Sequence, residues 1–272
     1  MKILIGVNTL DSVETSVYSN HCQFWYRLGR NTQHTFLLNH PRRMSIDRMR
    51  NLSAKMAIDS NCDYLMFVDD DVLIPFDALD RLIKADADVC AGWTIIRGYP
   101  YRNMFFRYTD KEKFNLSNVK DEDLGEDLNA VIDVDAVGFS CVLIRVSALR
   151  QMEPPYFVTG PYNTEDIYFC VKGQKNIPGF SIKVDLQVKT SHNLGSEYID
   201  PLTKKFYKVY YEGMYPEVFG EQKPEPPISI EEPKIGELHY EDVLEQVIWP
   251  EHTEEIGVAL GDNLDLTANV AK

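Results

Sequence analysis

Apolar runs of strand length alternate with helical periodicity through the first hundred residues. Lys2 to Val7 predicts a strand, followed by an irregular loop from Asn8. Thr35 to Leu38 predicts a second, short strand. Ile46, Met49, Leu52 and Met56 recur at three- and four-residue intervals, so a helix is expected there, with Ser45 as its cap and Asp47 in its first turn. Tyr64 to Val68 is apolar throughout, as a strand covered on both faces would be. Pro75 to Lys84 predicts a helix opening on proline, and Asp88 to Ile95 a fourth strand. This alternation predicts an α/β fold, a mostly parallel sheet flanked by helices.

Beyond Tyr99 the texture changes. Thr109 to Asn129 is polar and charged and is expected to form an exposed insertion or flexible loop. Val131 to Val137 and Phe139 to Val146 predict strands. Ile182, Val184, Leu186 and Val188 alternate with polar residues, the pattern of a half-buried strand. From Ser196 to Gly220 aromatics cluster, and a helix packed on the core is expected. The tail from Glu221 holds five of the 14 prolines and two aromatics, Tyr240 and Trp249, so an extended acidic segment is expected, with a short helix near Tyr240 to Val247. The chain thus divides into a body (1–195), an aromatic extension (196–220) and a proline-bearing tail (221–272).

Composition sharpens this division. With 44% hydrophobic residues over 272 positions the chain can bury a substantial core, which excludes a wholly disordered chain and a disulfide-stapled miniprotein. The net charge of −14 is mostly a property of the tail, which carries 13 acidic and 3 basic residues; the body is nearly balanced. Five cysteines without a C-x-x-C pair, most of them within apolar runs, are read as buried free thiols in a reducing compartment. The first residues lack the apolar stretch and cleavage site of a signal peptide. No run reaches the roughly 18 to 20 apolar residues of a membrane span. A soluble, cytoplasmic protein is expected.

Four clusters could carry chemistry. The run Leu65 to Val68 delivers Asp69, Asp70 and Asp71 to a strand's C-terminal end, where open α/β sheets bind ligands. Three adjacent carboxylates repel unless a cation such as Mg²⁺ or Mn²⁺ neutralises them, although an acidic turn capping the next helix has the same sequence. Thr164-Glu165-Asp166 places carboxylates at a helix start, suiting either a general base or a good N-terminus. His192, after the alternating strand, is either structural or a ligand facing the aspartates. Arg48 and Arg50 on the helix from Ser45 suit diphosphate oxygens or a solvated basic face.

The order of these parts resembles the GT-A (Rossmann-like) glycosyltransferases, closest to the family-2-like enzymes, many of them encoded by phages and bacteria. The resemblance spans Met1 to Gly195 and rests on Met49-Arg50-Asn51, Asp69-x-Asp71-x-x-x-Pro75 and Thr164-Glu165-Asp166. It implies that Asp71 and His192 hold Mn²⁺ or Mg²⁺, with Asp69 beside them and nearer the ribose. It further implies that Arg48 or Arg50 meets the donor's nucleotide or diphosphate and that Asn8 and Thr9 hold its base. Gly138-Phe139-Ser140 would floor the sugar site beside Trp93, with Asp166 as catalytic base and Glu165 holding acceptor or sugar. The implied activity is transfer of one sugar from a nucleotide-sugar donor to an acceptor hydroxyl with inversion. The acceptor would be a glycan or lipid-linked sugar, a protein, a small molecule or a hydroxymethylated base in phage DNA, the last served by Arg42-Arg43, Arg97, Arg102 and Lys204-Lys205. Two features depart from the family: Asn39-His40 offers no aspartate to read uracil, and the Gln-x-x-Arg-Trp signature of processive synthases is absent. A retaining enzyme, a nucleotidyltransferase (which usually has a glycine-rich loop that Asn8 to Thr15 lacks) and a non-catalytic nucleotide-sugar binder are the rivals.

Overall fold

The computed structural model describes residues 1–30, 33–160, 163–194 and 198–207. The acidic tail and the remainder of the aromatic extension lie outside the described residues. The first hundred residues hold five strands: β1 (Lys2–Asn8), β2 (Thr35–Asn39), β3 (Tyr64–Asp69), β4 (Val72–Leu73) and β5 (Val89–Trp93). Interleaved with them are α1 (Thr15–Arg30), α2 (Ile46–Asp59) and α3 (Ala78–Lys84). Then come β6 (Phe105–Asp110), β7 (Asn115–Asn118), β8 (Val131–Asp133), β9 (Ala136–Val137) and β10 (Cys141–Arg145). The chain continues through α4 (Val146–Leu149), α5 (Glu165–Asn176), β11 (Ile182–Lys189), β12 (Ser191–Asn193), β13 (Tyr198–Ile199) and β14 (Phe206–Tyr207).

The central sheet has seven strands in the order β2-β1-β3-β10-β5-β11-β8. β2, β1, β3, β5 and β11 run one way, while β10 and β8 run against them. Successive residues of β3 serve opposite faces. Leu65 and Phe67 join α2, α4 and α5 in one core cluster; Met66 and Val68 join α1 and α3 in the other. Cover on both faces is why the strand is apolar at every position. This is the mixed α/β arrangement expected from the sequence, a mostly parallel central sheet flanked by helices. Among the described residues no helix is long and apolar enough to cross a membrane.

Several expectations change. The loop assigned from Asn8 gives way to α1, whose buried Val17, His21, Phe24 and Leu28 are spaced for one face. Glu14 caps its start, accepting from the Ser16 and Val17 amides at 2.8 and 3.3 Å and from the Tyr198 hydroxyl at 2.6 Å. The helix expected from Pro75 begins at Ala78, because the Pro75 carbonyl first closes a turn onto the Ala78 amide. The segment from Thr109 supplies the turn and second strand of the β6–β7 hairpin, whose first strand starts at the buried Phe105, with Lys111 to Lys113 at the turn. Cys62, Cys90, Cys141 and Cys170 are buried free thiols, but Cys22 is exposed. Where a helix was expected from Ser196, residues 198–207 instead extend a small sheet ordered β14-β13-β12-β4.

Candidate functional site

Sheet register brings the chemistry together. β1 and β3 are parallel neighbours whose last residues, Asn8 and Asp69, are paired at the C-terminal edge of the sheet. The turn after β3 carries Asp70 and Asp71 into β4. β12 then runs antiparallel to β4 with His192 opposite Val72, and the Asn193 amide donates to the Asp71 carbonyl at 2.7 Å. This ladder sets His192 beside Asp71, with Nε2 3.5 Å from Oδ1. On its other side the ring donates through Nδ1 to the Ile95 carbonyl at 2.8 Å. That bond fixes which nitrogen carries the proton and turns Nε2 toward the carboxylate.

The second half of the site comes from α5. Thr164 stands at its N-cap, but the hydroxyl bonds the Asp166 carboxylate instead of capping the helix. The same oxygen of Asp166 accepts from the Ile167 amide at 2.7 Å. Glu165 and Asp166 are both buried in the first turn. Asn8, Arg50, Asp69, Asp70, Asp71, Glu165, Asp166 and His192 all line one cavity of about 430 Å³.

Arg50 ties the two halves together. It projects from α2 and is 3% exposed. Its Nη2 donates to Asp69 at 3.2 Å and its Nη1 lies 3.4 Å from Glu165. The guanidinium also sits 5.5 and 5.2 Å from the rings of Phe67 and Phe139. Burial raises the Asp69 carboxyl to about 7, with Arg50 pulling the other way. Burial likewise raises Glu165, again opposed by Arg50. Asp70 is raised by burial and by Asp71. For Asp71 burial also acts upward, but the His192 and Arg97 contacts outweigh it and hold the carboxyl below its ordinary value. Neighbouring carboxylates are thus driven apart in acidity.

Asn8 carries a different signal. It is 4% exposed, lines the cavity, and neither side-chain atom has a hydrogen-bond partner among the described residues. An unsatisfied buried amide is costly in a protein that keeps nothing for it to bind.

Other expected site residues lie elsewhere. Thr9 is not in the cavity lining; its amide donates to the Pro41 carbonyl at 3.2 Å. Arg48 lines a separate groove with Leu52, Lys55 and Tyr156. Trp93 is 1% exposed in the core, its indole N–H donating to Asn103 at 2.8 Å. Gly138 lies behind the cavity: a Cβ there would stand 2.4 Å from the Met104 side chain, and its amide donates to the Met104 carbonyl at 2.6 Å. The glycine therefore lets Met104 reach the cavity, which Phe139 and Ser140 also line. Of the basic residues considered for a phosphate path, Arg43 pairs with Asp11, Arg97 with Asp71 and Lys204 with Asp121. The sequence singles out Arg97 only for a phosphate path along DNA, and nothing in it marks Ile46, Ile96, Gly98 or Met104 as cavity residues.

No protein-family model matches the chain, and no curated protein matches it. Among solved structures it is similar to A197 from STIV, with 18% identity, a TM-score of 0.53, and coverage of 77% of this chain and 95% of that one. It is also similar to the catalytic domain of Drosophila beta1,4galactosyltransferase 7, in complex with xylobiose, with 14% identity, a TM-score of 0.40, and coverage of 78% and 72%. At 18% identity the likeness to A197 speaks to fold and not to chemistry.

Proposed function

We propose that this chain is a glycosyltransferase that moves one sugar from a nucleotide-sugar donor to an acceptor hydroxyl with inversion. The observation that carries the reading is convergence: Asp69 and Asp71, His192 and the Glu165-Asp166 helix start come from three distant segments and line one cavity. Its polar lining, with the orphaned Asn8 amide, suits a polar ligand.

Among the described residues no group of three His, Cys, Asp or Glu side chains is ready to hold a metal ion. The donors nonetheless fit a hard divalent cation held by two protein ligands. Mn²⁺ and Mg²⁺ are commonly bound by one or two carboxylates together with substrate phosphates, and imidazole suits Mn²⁺. Asp71 and His192 would hold the ion, with Asp69 close by. Such an ion, when bound, neutralises charge developing on the departing diphosphate.

The chain's own residues supply the rest. Arg50 fixes Asp69 relative to Glu165, so the donor side and the α5 side keep one geometry. Asp166, held through one oxygen by Thr164 and the Ile167 amide, takes the proton from the acceptor hydroxyl as that oxygen attacks the anomeric carbon. The attacking oxygen gains the sugar, the bond to the diphosphate breaks, and the diphosphate leaves with the electron pair. NMR of the product tests this directly. Opposite anomeric configurations in donor and product are expected, whereas retained configuration, or near-full activity of Asp166→Asn, would remove Asp166 from the role of base.

A further inference from the structure

The loop that follows β5 closes on itself beside the cavity. The Ile96 amide donates to the Arg102 carbonyl at 2.8 Å and the Tyr101 amide to the Gly98 carbonyl at 2.8 Å. Asn103 anchors its base through Trp93. Ile96, Arg97 and Gly98 line the cavity. From this loop Arg97 Nη1 reaches Asp71 Oδ2 at 2.9 Å, and its side chain is 58% exposed. The other oxygen of Asp71 already faces His192. Both acceptors of this carboxylate are therefore engaged, one by a fixed ring and one by a solvated guanidinium.

The geometry points to Arg97 as an exchangeable plug and diphosphate ligand. In the free protein its guanidinium neutralises Asp71 at the place the proposed divalent cation would need. When cation and donor bind together, Arg97 leaves Asp71 and pairs with the diphosphate. This rests on the nucleotide-sugar reading above and adds a ligand to it.

Three observations support the exchange. An ion pair this exposed is weak, so its loss costs little, whereas a cation two charges strong gains more from the same carboxylate. The lining is rich in acid: Asp69, Asp70, Asp71, Glu165 and Asp166 surround the space a diphosphate would enter. Among the described lining residues the cationic side chains are Arg50 and Arg97, and Arg50 is already buried between Asp69 and Glu165. Arg97 is the cation whose release exposes no buried charge. A guanidinium also matches phosphate oxygens with two parallel donors. The closed backbone of the loop lets the side chain swing while its base stays in place.

Calorimetric titration of the full chain separates this from a passive surface contact. Mn²⁺ alone is titrated first; UDP, GDP and ADP are then titrated with Mn²⁺ present. Arg97→Gln is expected to bind Mn²⁺ alone about 5- to 10-fold more tightly than wild type and the nucleoside diphosphate about 10-fold more weakly, each step of ten being one ordinary charge-assisted contact. Arg102→Gln, an equal charge change on the same loop, is expected to change neither. Mn²⁺ affinity that is unchanged or weaker in Arg97→Gln overturns the plug, and unchanged nucleotide affinity overturns the ligand role. If wild type binds the nucleotides but Arg97→Gln behaves like Arg102→Gln, the exchange fails and the donor site stands. If neither protein binds any of these probes, the nucleotide-sugar reading itself fails with it.

Discussion

Two arginines reach the same cavity and are held in opposite ways. Arg50 is buried, sits near two aromatic rings, and is shared by Asp69 and Glu165. Arg97 is more than half exposed, touches Asp71 alone among the described carboxylates, and hangs from a self-closed loop. The buried cation cannot leave without stranding two carboxylates, while the exposed one leaves water in its place. One is built as scaffold and the other as a movable part, and burial decides which.

The largest effect expected from breaking either half is chemical. Asp166→Asn keeps an oxygen for Thr164 and the Ile167 amide but no longer accepts a proton, so transfer should fall about 10²- to 10⁴-fold with little change in thermal stability. Steady-state rates beside a melting curve check both parts of that statement. Next comes Arg50→Met, which removes the shared partner of the buried Glu165 and the half-buried Asp69. It should cost about 3–5 kcal/mol of stability, read by urea unfolding, because an uncompensated buried charge is worse than none.

A third buried group sharpens the contrast through pH. His21 on α1 donates through Nε2 to the Val72 carbonyl at 3.0 Å. Burial pushes its pKa down to about 4, with His40 adding to the fall and Asp71 opposing it. The unfolded chain takes up this proton near pH 6.5 while the folded chain refuses it until about 4. Stability is therefore lost as pH falls across that window, by about 3 kcal/mol at most. In His21→Gln, which keeps a donor for Val72, the unfolding free energy should fall less between pH 7 and pH 5 than in wild type; equal falls would contradict the account. Smallest of all is Arg97→Gln, whose exposed pair should change stability by less than about 1 kcal/mol in the same urea assay. A loss as large as that of Arg50→Met would erase the distinction between the two arginines.

Much of the site was legible because strand ends are legible. A wholly apolar run ending in Asp69 announces a covered strand delivering carboxylates to an edge, and strict alternation from Ile182 leads the eye to His192. What sequence could not show was depth. Arg48 and Arg50 are two residues apart on one helix, yet only the latter turns inward, which depends on the pitch of α2 against β1 and β3. Trp93 ends a strand as a binding aromatic would, but its N–H finds Asn103 in the core. α1 was missed because its apolar stripe is thin, with Val17, Phe24 and Leu28 spread among polar residues. The β6–β7 hairpin was hidden for a related reason: its strands are exposed on alternate residues and its charges sit at the turn.

The central claim is that the carboxylates after β3 and those at the start of α5 form one nucleotide-sugar site. Release of nucleoside diphosphate from a panel of nucleotide sugars with Mn²⁺, compared between wild type and Asp71→Ala, tests it most directly. Wild type should release the diphosphate from at least one donor, and Asp71→Ala should show loss of both that release and of Mn²⁺-dependent donor binding. Release by Asp71→Ala at the wild-type rate, or no binding and no turnover of any donor by wild type, would contradict it.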